Sequence, residues 1–157
     1  MYIKWFKVVE SGGISMFIGE YRHSLDNKNR IIIPAKLREE LGNPFVLAKG
    51  LDGCINAYPE EGWSKYIEES SKINQNYKDA RAFSRFLLSG ATVVEIDKQG
   101  RALVPNVLCE HGGLKEDIVI IGMNTKLEIW SSERWDEYNS QDIDMEAIAE
   151  KMAELGF

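Results

Sequence analysis

Apolar residues in this chain fall in short runs that alternate with stretches at helical spacing. Arg22–Asp26 and Arg30–Ile33 read as two strands of a hairpin whose turn is Asn27, Lys28 and Asn29. Pro34 then opens a short helix, AKLREEL, that Gly42 ends: proline suits a first helical turn and glycine the residue past the last. FVLAKGLDGCINAY predicts a second hairpin around the LDG at Leu51–Gly53. From Pro59 a helix places Trp63, Tyr66, Ile67 and Ile73 on one face, and ARAFSRFLLSG presents Phe83, Phe86 and Leu87 on another. GRALVP, NVLCEH, IVIIGMNTKLEIW and SERWDEY then repeat the order strand, short helix, hairpin, helix. In the last segment, DMEAIAEKMAELGF, Met145, Ile148, Met152 and Leu155 stand at helical spacing.

The repetition extends to individual residues. SLDNKNRIIIP, Ser24–Pro34, returns 71 residues later within VEIDKQGRALVP, Val94–Pro105, so that Asp26, Arg30, Pro34 and Leu37 fall on Asp97, Arg101, Pro105 and Leu108. Further on, FVLA lies against IVII and Trp63 against Trp135. This pattern divides the chain into a leader at 1–15, a first half at 16–79, a second half at 80–139 and an acidic C-terminal helix or tail at 140–157. Halves of this size bury too little surface to be comfortably stable alone, so a pseudo-two-fold pair is expected.

One aspartate followed four residues later by an arginine is an ordinary ion pair across a turn, worth roughly 0 to 1 kcal/mol. Two copies in the same apolar and proline frame are a different matter, because a solvated pair does not require its flanks to recur. The aspartate can accept hydrogen bonds from the amides that follow it and so fix the turn. The residue before the arginine must then take positive φ, which Gly100 does freely and Asn29 tolerates. Asp26, Asn29, Asp97 and Gly100 are thus expected to structure the turns. Arg30 and Arg101 emerge from fixed points, where a planar guanidinium can reach phosphate oxygens or a guanine edge. Lys28 and Lys98 would add phosphate neutralisation, and Arg22, Lys36 and Arg38 would assist from flanking positions.

A net charge of −6 argues at first against a polyanionic partner. Its distribution reverses that impression: residues 131–157 hold eight acids and two bases, whereas 1–130 hold 17 of each sign. Between Tyr21 and Arg38 five bases face the single acid Asp26, and a phosphate within a Debye length of roughly 8–10 Å feels that patch and not the sum. No apolar run approaches the roughly 18–20 residues of a membrane span, and a cytoplasmic protein is expected. Cys54 and Cys109 are too few for a disulfide scaffold and read as small buried hydrophobes. Cys109 and His111 lack the further spaced ligands of a zinc site, and His23 stands beside a strand. With no phosphate loop, nucleophile elbow or H-E-x-x-H, the sequence indicates neither an enzyme, nor a cofactor or metal, nor a small-molecule substrate.

The blocks SLDNKNRIIIPAKLR and EIDKQGRALVPNVL resemble the paired D-x-x-x-R motifs of the MraZ family of bacterial transcriptional regulators, within the AbrB-like swapped-hairpin superfamily. The resemblance runs from MFIGEY at Met16 through IWSSERW at Trp135. It implies an α+β fold, a double-split β-barrel built from two pseudo-two-fold-related halves with flanking helices, assembled into a ring-shaped homo-oligomer. It also implies binding to double-stranded DNA at tandem direct repeats in the promoter of the division and cell wall gene cluster, including the protein's own operon, in association with the nucleoid. The family's binding motif corresponds to Asp26–Arg30 and Asp97–Arg101. Two departures stand out. Asn29 occupies a place where many relatives have glycine, and the leader MYIKWFKVVESGGIS precedes Met16, where such proteins usually begin, so that Met16 is the expected start. The competing expectation is an antitoxin-like module of the same superfamily whose acidic segment after Ser140 clasps a protein partner.

Overall fold

The computed structural model describes residues 16–156, and the expectation about the leader lies outside them. Chain order begins with β1 (Glu20–Ser24), β2 (Arg30–Ile32), α1 (Ala35–Leu41), β3 (Phe45–Lys49), a 3-10 turn (Leu51–Gly53), β4 (Ile55–Pro59), α2 (Glu60–Ser71) and α3 (Lys78–Ser89). The same order then returns as β5 (Thr92–Val94), β6 (Arg101–Leu103), α4 (Asn106–Gly112), β7 (Asp117–Met123), β8 (Lys126–Ser131), α5 (Ser132–Ser140) and α6 (Met145–Glu154).

All strand pairs are antiparallel and form two sheets, a six-stranded one in the order β1-β7-β8-β4-β3-β5 and a two-stranded ribbon, β2-β6. The larger order is palindromic. The second hairpin of each half meets its counterpart at the β4–β8 seam, while the first strand of each half crosses over to flank the other half's hairpin. Among these strands the fold is therefore α+β with open sheets, and no closed barrel is formed.

The hairpin expected at Arg22–Asp26 and Arg30–Ile33 needs correction. Its arms share a single bridge, Leu25 with Ile31, and then part: β1 pairs over five residues with β7, and β2 pairs with β6. Ile96 and Ala102 form the matching bridge in the second half. Arms this short gain more ladder hydrogen bonds from the opposite half than from each other, so neither half completes a sheet alone.

The core explains the alternation in the ribbon. Ile31, Ile33, Ala102 and Val104 are buried and join Leu37 of α1, Leu108 of α4 and the inner residues of the large sheet in one cluster. Each fully buried leucine or isoleucine contributes on the order of 1.5–3 kcal/mol, so the ribbon is fastened to the sheet by apolar contact. β3 and β4 are buried on both faces because helices cover the far side. There Tyr58 of β4 with Trp63 and Tyr66 of α2 form an aromatic trio, and Trp130 of β8 with Trp135 and Tyr138 of α5 form its counterpart, each 72 residues later. The stacked pairs of the two trios lie at centroid distances of 6.3 and 5.9 Å.

The outer helices differ. α3, which straddles residues 79 and 80, lays Leu87 against Ala48 and Tyr58. α6 holds the equivalent place in chain order and is capped by Asp144, yet Met145, Ile148, Met152 and Leu155 are exposed. Ile73 was expected on the apolar face of α2. It lies beyond the end of that helix and is exposed, because the chain turns away at Lys72.

Candidate nucleic-acid interface

The Asp26 turn is held by its own aspartate. Oδ1 accepts from the backbone N–H groups of Lys28 and Arg30 at 2.9 and 2.8 Å, and Oδ2 accepts from Arg30 Nε at 2.8 Å. The main chain closes the same loop, with Asp26 N donating to Arg30 O and Asn29 N to Asp26 O. The Asp97 turn repeats every bond. Oδ1 accepts from Gln99 N and Arg101 N at 2.9 Å each, and Oδ2 accepts from Arg101 Nε at 2.8 Å.

These bonds hold both carboxyls below the usual carboxylate range, first through the backbone N–H of the arginine and then through its side chain, against a smaller opposing effect of desolvation relative to the first cause. The guanidinium groups are also placed. With Nε engaged, the side chains of Arg30 and Arg101 remain 28% and 30% exposed, and Gln99 Oε1 accepts from Arg101 Nη2 at 2.9 Å.

The residues before the arginines take the left-handed conformation expected of them, with φ of 60° at Asn29 and 81° at Gly100. Each is then locked to the opposite half: Val104 N donates to Asn29 O at 2.8 Å, and Ile33 N to Gly100 O at 2.9 Å. Asn29 Nδ2 further donates to Asn106 Oδ1 at 2.7 Å. Gly100 is buried under Arg38, whose Nε donates to Ile33 O at 2.7 Å, and a Cβ at Gly100 would overlap that guanidinium.

Strand register decides which side chains share the outer face of the ribbon. Arg30 lies opposite Leu103, and Ile32 opposite Arg101, so all four project away from the buried pair Ile31 and Ala102. Lys28 and Lys98 are exposed on the adjoining turns, and Lys36 is exposed in the first turn of α1. Arg38 is half-buried and serves as a brace between the halves. Arg22 lies on β1 and is engaged elsewhere: its Nη2 meets Asp136 Oδ1 at 2.9 Å and its Nη1 donates to Ser132 Oγ at 3.0 Å on α5. The ribbon and its turns thus gather Arg30, Arg101, Lys28 and Lys98, and Arg22 is tied to α5.

Sequence reasoning did not single out Gln99 or Asn106. Gln99 was legible only as the residue beside Gly100. Asn106 follows Pro105 where the first copy has Ala35, so no repetition drew attention to it.

His111 and the two cysteines are packed within the fold. His111 Nε2 lies 2.9 Å from Gly50 O, with its ring edge against Phe86. Burial pushes the Cys54 thiol up to about 12, and burial also raises Cys109, which is only half-buried. Among the described residues there is no group of three or more His, Cys, Asp and Glu placed to hold a metal, and no helix long and apolar enough to cross a membrane.

A family model described as "MraZ protein, putative antitoxin-like" matches residues 16–86 and again residues 87–156. The transcriptional regulator MraZ of Clostridium tetani is 57% identical over 141 residues, covering 90% of this chain and 99% of that protein. The protein of the same name from Clostridium beijerinckii is 56% identical over 141 residues with the same coverage. The transcriptional regulator MraZ of Acetivibrio thermocellus is 49% identical over 142 residues, covering 90% of this chain and 99% of its own. Since the family model matches the chain twice, over 16–86 and 87–156, and the relatives align over nearly their whole length, the chain belongs to the MraZ family.

Proposed function

We propose that the chain is a transcriptional regulator that binds double-stranded DNA through its two arginine-tipped turns and does so without chemistry. One observation carries the reading: the Asp26 and Asp97 carboxylates hold Arg30 and Arg101 in the same bonding pattern at the two ends of an outward-facing ribbon. A guanidinium fixed at Nε loses little conformational freedom on binding, and its remaining N–H groups suit a phosphate or the O6 and N7 of guanine. Lys28 and Lys98 neutralise flanking phosphates, Lys36 extends the basic surface, and Arg38 acts from behind it as the brace under Gly100. The names of the relatives favour regulation as the role of that contact.

In this reading the two pseudo-equivalent halves make one double-split unit, which the palindromic strand order supports. Copies of the unit assemble into a ring in the cytoplasm, associated with the nucleoid. The apolar face of α6 supports self-assembly, since a ten-residue helix is marginal in water unless its face is covered. A ring engages tandem promoter repeats together, so effective concentration supplies affinity that one turn pair lacks. Repeats about one helical turn apart place each site on the same side of the duplex. The target is the promoter of the division and cell wall gene cluster, including the protein's own operon.

Selection of genomic fragments by the purified full chain, followed by a footprint, tests this. Tandem repeats upstream of the protein's own gene are the expected result. Random fragments, with no protected repeat at any salt concentration, would overturn the reading.

A second reading has a specific observation in its favour. The matching family description includes the word antitoxin, and α6 presents Ile148 and Met152 among acids, a surface that a protein partner could cover. Purification of the full chain from native extract separates the two: a stoichiometric foreign protein lost on Met152→Asp favours the antitoxin-like role, and co-purifying promoter DNA favours the regulator.

A further inference from the structure

Two groups of exposed apolar side chains stand in different electrostatic settings. On α6, Met145, Ile148 and Met152 are interleaved with Glu146 and Glu150. On the β2–β6 ribbon, Ile32 and Leu103 are 44% and 54% exposed and lie directly opposite Arg101 and Arg30. The four ribbon side chains form a two-by-two face in which each arginine is diagonal to the other and each apolar residue fills a corner between them. The pseudo-two-fold relation generates this face, because Arg30 and Ile32 of the first half correspond to Arg101 and Leu103 of the second. Beneath it Ile31 and Ala102 are buried, so the ribbon cannot turn over to hide Ile32 and Leu103 without exposing its core side.

An apolar face framed by cations fits a surface that is anionic at its margins and apolar at its centre. Duplex DNA offers that combination in the major groove, where phosphates line both walls and the C5-methyl of thymine projects from the floor. A two-stranded ribbon is of a width the major groove admits. We infer that Ile32 and Leu103 are specificity-determining residues that contact thymine methyl groups, while Arg30 and Arg101 beside them engage guanine edges or phosphates. This inference rests on the DNA-binding reading above and adds to it a part of the base readout. The opposed register sets the geometry: one methyl contact belongs to each half, and the two are related by the pseudo-two-fold axis of the ribbon.

The test uses the full chain and a duplex carrying the footprinted site, with each thymine replaced in turn by deoxyuridine, which removes only the methyl. For the wild-type protein, replacement at one or two positions should weaken binding about fourfold, the transfer value of a single methyl group. Ile32→Ala should abolish that discrimination at one position and Leu103→Ala at the other, while both variants retain salt-sensitive binding. Because the wild-type series alone reads the methyl contact, the test survives a variant that fails to fold. Tight wild-type binding with every deoxyuridine duplex bound equally overturns this inference and leaves the DNA-binding reading intact. Absence of wild-type binding to any duplex overturns both. Loss of assembled mass in Ile32→Ala and Leu103→Ala, without a change in thymine discrimination, assigns the face to a second copy of the chain and likewise overturns the inference.

Discussion

Replacing Gly100 with alanine probes the link between the second turn and the opposite half. Gly100 has a φ of 81°, and an L-residue held in the left-handed region costs roughly 1–2 kcal/mol. The added Cβ would also overlap the Arg38 guanidinium, forcing it to release the 2.7 Å bond from Nε to Ile33 O. Arg38 is half-buried and still solvated in part, so loss of that bond adds about 1 kcal/mol, the ordinary net worth of an intramolecular hydrogen bond. The total of about 2–3 kcal/mol corresponds to a fall in melting temperature of about 5–10 °C for a chain of this size. Thermal melts at fixed protein concentration read the shift, and a double-mutant cycle with Arg38→Ala divides it. In the Arg38→Ala background only the backbone strain remains, so Gly100→Ala should cost about 1 kcal/mol less there. A neutral Gly100→Ala, or a cost that is the same whether or not Arg38 is present, would refute the link between the turn and its brace.

Three other outcomes rest on the same contacts. Both turn aspartates have pKa values lowered by folding, so their contribution is fully present above the unfolded value of about 4 and is lost as pH falls through the folded values below it. Asp26→Asn with Asp97→Asn should therefore flatten the acid limb of the stability profile below about pH 4, and an unaltered limb in acid-unfolding curves would contradict the turn bonding. The Cys54 thiol, pushed up to about 12 by burial, should resist iodoacetamide at pH 8 in the native protein and react on unfolding in urea. Rapid native labelling at Cys54, located by mass spectrometry, would show that the site opens. On α6, Ile148→Asp combined with Met152→Asp should lower the assembled mass measured by light scattering at a given concentration, and an unchanged mass would exclude this helix as a contact between copies.

The turns were legible because their determinants are local. Aspartate, a positive-φ residue, arginine and proline recur at fixed spacing, and each has a conformational reason to stand where it does. The failed hairpin was not local. Nothing in Arg22–Asp26 or Arg30–Ile33 distinguishes a partner four residues away from one in the other half, and the choice is made by ladder length after both halves exist. The same limit applies to single cations. Arg38 and Arg22 look alike as basic residues near a motif, yet one braces Gly100 and the other meets Asp136, contacts created by packing and invisible in composition. Ile32 sits in a run of three isoleucines that reads as core, and only the ribbon's pleat sends it outward while Ile31 and Ile33 go in. The aromatic trios were half visible: Trp63 and Trp135 aligned, and Tyr66 and Tyr138 completed the pattern once the helices were placed against the sheet.

The duplication also ties the two turns to opposite halves. Each turn's left-handed residue offers its carbonyl to the other half, Asn29 O to Val104 N and Gly100 O to Ile33 N, just past the ribbon strands. On the DNA-binding reading proposed above, coupling of this kind would hold both guanidinium groups in register and so reduce the ordering cost of binding.

The measurement closest to the central claim is the affinity of the purified full chain for duplex DNA from upstream of its own gene, followed as salt is raised, for the wild type and for the Arg30→Ala, Arg101→Ala double variant. For the wild type, log affinity should fall with log salt by about 0.9 per phosphate contact. At fixed salt the double variant should bind at least about tenfold more weakly, with unchanged assembled mass. Equal affinity and equal salt slope for the two proteins would show that the arginine-tipped turns do not meet DNA.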